Sequence, residues 1–131
     1  MDDTGDKKAQ LKVLIIDDDE GFRTMMEEML LAEGYDVYSA ENGRYGLDLV
    51  NEITIDLVIT DIAMPLVNGI EVTLELIKHH PKIKIIAISG DTPDFYLTSA
   101  ITFGAHDSLR KPFALKELST KIRRLLNLNE I

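Results

Sequence analysis

The run Leu57-Val58-Ile59 is short, apolar and largely β-branched, as expected of a strand buried on both faces of a sheet. It closes on a carboxylate, Asp61, and Pro65, Asn68 and Gly69 then turn the chain. Four further segments read the same way. Lys12–Ile16 ends in Asp17-Asp18-Asp19, and Lys84–Ile88 ends in Ser89-Gly90. Asp36–Ala40 is a weaker strand, expected nearer an edge, and Ser108–Arg110 is a short one that leads into Lys111.

Helical patterns separate these runs. One spans about Glu20 to Glu33, capped by Asp19 and stopped by Gly34, with Phe22, Met25, Met26, Met29 and Leu30 on one apolar face. Asn42-Gly43 opens a second, which reaches about Glu52. A third runs from about Gly69 to His80, with Val72, Leu76 and Ile77 inward, and Pro81 ends it. Thr92 as cap and Pro93 at the first position predict a fourth, to about Phe103. The last covers about Ala114 to Asn127, with Leu115, Leu118, Ile122, Leu125 and Leu126 facing inward. Strand and helix alternate throughout, which specifies an α/β, doubly wound (βα)5 architecture: a five-stranded parallel sheet with helices on both faces.

The 131 residues suit a single domain. Residues 1–10 are polar and read as a flexible leader, leaving 11–131 as the domain. Cysteine is absent, which excludes disulfides and thiolate metal sites and agrees with a reducing cytoplasm. No apolar run approaches the roughly 18 residues of a membrane span, and no signal peptide opens the chain. A cytoplasmic location away from membranes is expected. The net charge of −9 argues against direct nucleic-acid binding, and no DNA-binding segment follows within these residues. Residues 1–62 hold 16 acids against 5 bases, and residues 104–131 hold 3 against 6. Surface scatter is one reading; the other is an acidic cation-binding end and a basic, partner-facing last helix. His79-His80 is a poor metal pair, because neighbouring helical side chains diverge by about 100°.

Right-handed winding brings Asp17-Asp18-Asp19, Asp61, Ser89 and Lys111 to one edge of the sheet, the edge where open α/β sheets bind ligands. Crowded carboxylates repel unless a cation lies among them. An all-oxygen donor set fits a hard ion such as Mg²⁺. Carboxylates, magnesium, a lysine and a hydroxyl form a phosphoryl-transfer set, in which a carboxylate can itself be the nucleophile and form an acyl phosphate.

The segments "LKVLIIDDD", "DLVITDIAMPLVNG", "IIAISG" and "LRKPF", in that order, resemble the receiver domain of two-component response regulators of the chemotaxis-protein type, from about Lys12 to Asn127. The sheet-edge rule is itself illustrated by that family, so fold and resemblance are not independent. The resemblance implies a flavodoxin-like fold and a phosphorylation-controlled switch in a two-component or phosphorelay system. Asp61 would be the phosphoacceptor. Asp18 would bind Mg²⁺ directly with Asp61 and the Ala63 backbone carbonyl, and Asp17 through water. Lys111, preceding a cis-proline at Pro112, would bind the phosphoryl oxygens and pair with little else when the site is empty. Ser89 and Ser108 fall at the switch positions. Ser108 stands where relatives carry an aromatic ring, so a swinging ring cannot be the switch here. Ala63 is often polar in relatives, which leaves the attacking water less ordered.

The resemblance further implies self-catalysed phosphoryl transfer and autodephosphorylation, not conventional enzymatic turnover. A histidine kinase or phosphotransfer protein would be the donor. Output would pass through helix 92–103 and the last helix, with Leu97 and Ile101 as an exposed ridge beside Lys121, in a monomer or a phosphorylation-dependent dimer. Two alternatives compete. Asp17-x-Asp19 resembles the nucleophile motif of haloacid-dehalogenase-type phosphatases, but only Glu117 and Glu130 follow Lys111, thirteen apart, where that family needs an acid pair. A pseudo-receiver would bind partners without phosphorylation.

Overall fold

The computed structural model describes residues 11–64 and 68–128. The leader at 1–10 and the turn residue Pro65 lie outside the described residues. Five strands, β1 (Lys12–Ile16), β2 (Asp36–Ala40), β3 (Leu57–Asp61), β4 (Lys84–Ser89) and β5 (Asp107–Arg110), alternate with five helices. The helices are α1 (Glu20–Ala32), α2 (Gly43–Glu52), α3 (Gly69–His79), α4 (Phe95–Thr102) and α5 (Leu115–Leu125). All strand pairs are parallel, in the order β2-β1-β3-β4-β5. The expected flavodoxin-like, doubly wound architecture is therefore present, with β2 at an edge as read from its weaker pattern. No described helix is long and apolar enough to cross a membrane.

Strand residues alternate between two cores because successive side chains point to opposite faces. Leu14, Ile16, Val58, Ile85 and Ala87 meet Val50, Val72, Leu76 and Ala100 from α2, α3 and α4. Val13, Ile15, Leu57, Ile59, Ile86 and Ile88 meet Met26 and Leu30 of α1 and Leu118 and Ile122 of α5. Every residue of β3 is buried, so Asp61 emerges from the centre of the molecule. The apolar face expected of α1 is narrower than its sequence implied. Met26 and Leu30 are buried, whereas Met25 is 43% exposed, one position round from the stripe. Asp19 caps α1 as expected, accepting from the Phe22 N–H at 3.2 Å.

The start of α4 departs from expectation. Thr92 is not a cap, because its hydroxyl is engaged at the end of β4 and its N–H within the loop. Its N–H donates to the Gly90 carbonyl at 3.0 Å, and its hydroxyl pairs with that of Ser89. The helix starts at Phe95, after a tight turn in which the Tyr96 N–H reaches the Pro93 carbonyl at 3.1 Å, and no side chain caps it. The expected ridge is also corrected. Leu97 packs against the core, and the exposed apolar residues of this stretch are Phe95, Tyr96, Ile101 and Phe103. Lys121 is not a free flanking cation: its Nζ donates to Asp107 Oδ1 and the Ser108 carbonyl, both at 2.9 Å. His79 and His80 diverge as expected. His80 meets Asn51 Oδ1 at 2.9 Å, and His79 faces Glu75 at 3.4 Å.

The opposite, amino-terminal edge of the sheet holds a histidine that sequence reasoning passed over. His106 Nδ1 accepts the Ile85 N–H at 3.0 Å, and the His106 N–H donates to the Ile85 carbonyl at 2.8 Å. Burial, then the charge of Lys84, holds its pKa below the usual imidazole value. The fold therefore favours neutral His106. That contribution is complete above the unfolded-chain value of about 6.5 and is lost as pH falls through the depressed folded value. Urea unfolding of wild type between pH 7 and pH 5 is expected to show a loss of stability that His106→Gln reduces. An unchanged slope in the variant would assign the acid sensitivity elsewhere.

Candidate functional site

The carboxyl ends of β1 and β3 lie side by side, with Ile16 in register with Thr60. Asp17 and Asp61, one residue beyond that pair, are therefore neighbours, and Asp18 turns outward beside them. One carboxylate oxygen from each of Asp17, Asp18 and Asp61 lies within 4.8 Å of the others, an arrangement that can hold a metal ion. Asp17 is fully buried, Asp61 is buried and Asp18 is exposed. Of the three, Asp18 is the one most open to solvent.

Each buried carboxylate is held by named donors. Asp17 Oδ1 accepts the Asp19 N–H at 2.9 Å, and its Oδ2 accepts from Lys111 Nζ at 2.7 Å. Asp61 Oδ1 accepts the Ala63 N–H at 2.9 Å, and its Oδ2 accepts from Lys111 Nζ at 3.2 Å. Burial raises the Asp61 pKa above the usual carboxylate value and Asp17 adds to the rise; the Ala63 N–H and Lys111 offset them in part. A cation among these oxygens would favour the ionised form. For Lys111, burial alone would lower the pKa, but the hydrogen bond and charge of Asp17, then of Asp61, outweigh it and hold the ammonium above its usual value.

Lys111 thus corrects an expectation. It is not idle without a phosphoryl group, but bridges two carboxylates that otherwise repel across the site. It comes from the edge strand and reaches over β4, its stem passing Gly90, where an added Cβ would lie 3.7 Å from Lys111 Cδ. The Lys111–Pro112 bond is cis. Three side chains near this centre were not singled out as site residues from sequence. The Phe22 ring lies 4.0 Å below Lys111 Nζ and meets Phe113 edge-on at 6.1 Å. Arg23 donates to the Asp17 carbonyl at 2.7 Å. Both lie on the first turn of α1, three and four residues after Asp19, a spacing that places them on the same side as the acid run. Arg110 is the third. Ser89, fully buried, closes β4 beside Asp61, and its hydroxyl is engaged with Thr92, not with the carboxylates. Ser108 is half-buried in β5, in register with Ala87.

The first residue of α3 is pressed against Asp61. An added Cβ at Gly69 would collide with the Asp61 carbonyl and approach the Ile62 Cα to 2.5 Å, and backbone atoms cannot swing aside. Asn68 fixes the start of α3 by accepting the Ile70 and Glu71 N–H groups at 2.9 and 3.0 Å.

The sequence model of the response regulator receiver domain matches residues 13–123. Among curated proteins, the chain is 34% identical over 116 residues to the response regulator MprA of Mycolicibacterium vanbaalenii, covering 88% of this chain and 50% of that protein. It is 34% identical over 115 residues to the transcriptional regulatory protein CpxR of Escherichia coli, covering 88% and 49%. The chain thus spans about half the length of these relatives. Among solved structures, a response regulator receiver domain protein from Clostridium thermocellum superposes with a TM-score of 0.85 at 31% identity, covering 89% of this chain and 94% of that one. The chemotaxis protein CheY4 of Vibrio cholerae gives 0.81 at 27% identity, covering 88% and 98%.

Two substitutions test this geometry. Gly69→Ala gains up to about 1 kcal/mol of helix propensity and unfolded-state entropy, but the backbone collision outweighs it. The expected net loss is about 1–2 kcal/mol in urea unfolding, with amide shifts at Asp61 and Ile62. A neutral or stabilising result would show that the contact of Gly69 with Asp61 and Ile62 yields freely. Lys111→Ala leaves buried Asp17 and Asp61 facing each other and is expected to cost about 3 kcal/mol. Part of that loss should return on adding Mg²⁺; equal stability with and without the ion would contradict the bridging role.

Proposed function

The chain belongs to the receiver domain family of two-component response regulators, and from that membership we propose that it is a phosphoacceptor switch charged on Asp61. The observation that carries this reading is the clustering of Asp17, Asp18 and Asp61 around Lys111 at the carboxyl edge of the sheet. The donor is a phosphohistidine on a histidine kinase or phosphotransfer protein. An Asp61 carboxylate oxygen attacks the phosphorus. A P–O bond forms as the P–N bond breaks, and the imidazole leaves with the electron pair and takes up a proton. The all-oxygen donor set fits Mg²⁺, held by Asp18, Asp61 and the Ala63 carbonyl, with Asp17 acting through water. When bound, that ion neutralises charge on the phosphoryl oxygens.

Lys111 changes partner in this scheme. Its ammonium turns from Asp17 and Asp61 to a phosphoryl oxygen, a point charge where negative charge accumulates. The Ser89 hydroxyl donates to another phosphoryl oxygen and leaves Thr92. The loop Gly90-Asp91-Thr92 moves with that exchange, and the start of α4 follows. No polar side chain at residue 63 orients a water for autodephosphorylation. Output passes through the face of α4, β5 and α5, where Phe95, Tyr96, Ile101 and Phe103 are exposed, in a monomer or a phosphorylation-dependent dimer. The setting is the cytoplasm, and a longer protein can carry the effector.

The test is intact-mass measurement after incubation with Mg²⁺ and acetyl phosphate or a candidate kinase. Wild type is expected to gain one phosphoryl group, and Asp61→Asn none, with the circular dichroism spectrum unchanged. Undiminished labelling of Asp61→Asn would reject the assignment. No labelling of wild type by any donor would favour a pseudo-receiver.

A further inference from the structure

Arg110 closes β5 next to Lys111, but its guanidinium is bonded to the β4–α4 loop, away from the carboxylates. Nη1 donates to the carbonyls of Gly90 at 2.8 Å and Thr92 at 3.0 Å, and Nη2 donates to Asp94 Oδ1 at 2.6 Å. The Arg110 backbone is fixed by the sheet. It lies in register with Ser89, and the following N–H, that of Lys111, donates to the Ser89 carbonyl at 2.7 Å. One planar fork anchored to the sheet therefore spans the loop, from the residue after Ser89 to the N-cap of α4. The Ser89–Thr92 hydroxyl pair is a second tether on the same loop.

We infer that Arg110 is the positioning residue that carries the state of the Ser89 hydroxyl to α4. The inference rests on the phosphoacceptor reading and specifies how that site is coupled to the helix. Either hydroxyl can be the donor in the Ser89–Thr92 pair. When the Ser89 side chain turns to a phosphoryl oxygen it is drawn away from Thr92, and Arg110 is the side chain that still ties the loop to the sheet. A guanidinium is rigid, so the carbonyls of Gly90 and Thr92 stay at a fixed separation on one nitrogen. Movement at Thr92 then turns the loop about Arg110 and reaches Asp94, where α4 begins.

The contacts carry unequal weight. The Asp94 side chain is 97% exposed, so its ion pair is screened and contributes little. The two carbonyl bonds from a charged donor are the stronger part. α4 has no side-chain cap of its own, so its first turn depends on this outside anchorage.

The experiment records amide chemical shifts and hydrogen exchange of the full chain, free and with Mg²⁺ and beryllofluoride, a phosphoryl mimic. Wild type, Arg110→Ala, Arg110→Lys and Thr92→Val are compared. In wild type, beryllofluoride is expected to shift the amides of residues 89–103. In Arg110→Ala it should bind with unchanged affinity and still shift Asp61 and Ser89, while the response of residues 94–103 is lost. Exchange at Tyr96 and Thr98 in the free variant should quicken about tenfold. Arg110→Lys keeps the charge without the fork, and should resemble Arg110→Ala; it also serves should the alanine variant unfold. Thr92→Val, which removes only the hydroxyl, should move residues 90–96 of the free protein toward their positions in beryllofluoride-bound wild type. A full response of residues 94–103 in the arginine variants overturns the inference and leaves the phosphoacceptor reading standing. Absence of any response at Asp61 and Ser89 in wild type overturns both.

Discussion

Two carboxylates, Asp17 and Asp61, sit buried and adjacent, and the ammonium of Lys111 bridges them at 2.7 and 3.2 Å. Buried like charges are costly, and the pairing with a single cation offsets that cost without making the trio a large net source of stability. Its consequence is chemical. The two carboxylates at the edge of the sheet share one cation. Under the proposed function a divalent ion would take over their neutralisation, and a phosphoryl group would give the lysine a new partner. The Phe22 ring beneath Nζ keeps one side of the ammonium against an aromatic face, so the lysine stays within reach of the carboxylates.

The sheet makes this meeting possible. The strand order reverses direction at β1 and β3, and the two crossovers diverge to opposite faces there, leaving a crevice above the paired carboxyl ends. Asp17 and Asp61 line that crevice because their strands are hydrogen-bonded neighbours in the centre of the sheet. Lys111 directly follows the edge strand β5 and has to cross β4 to join them. A long, flexible stem does this, and Gly90 places no side chain in its way. The tight packing of Gly69 under the Asp61 carbonyl fixes the remaining wall.

The loop after β4 joins this charged centre to a face of different character. Ser89 at its start is fully buried, while Phe95 at its end is 63% exposed. Within a few residues the chain passes from the most constrained part of the molecule to a short helix with little side-chain anchorage of its own. Segments that move in switching are drawn from such weakly anchored stretches. Arg110 and the Ser89–Thr92 pair are the two tethers that join the loop to the sheet.

Much of this was legible from the chain itself. Apolar runs of strand length, helical spacings between them, the cap at Asp19 and the turn residues Asn42 and Asn68 act locally, so the element order and the two-sided core follow from residue pattern alone. The gathering of Asp17, Asp18, Asp61 and Lys111 at one edge followed from the handedness of parallel crossovers. What the pattern left open was which groups pair once gathered. Lys111 read as a free cation because its partner Asp17 lies 94 positions away. Thr92 read as a helix cap because the Thr-Pro pair is a real local signal; a buried hydroxyl on the neighbouring strand end competed for it and prevailed. Leu97 and Ile101, four apart, looked like one ridge, but the side α4 buries depends on how it packs on the sheet. Local propensity determined the elements, whereas long-range hydrogen bonds and packing decided which polar groups each element uses, because competition for a buried partner exists only after the chain has folded.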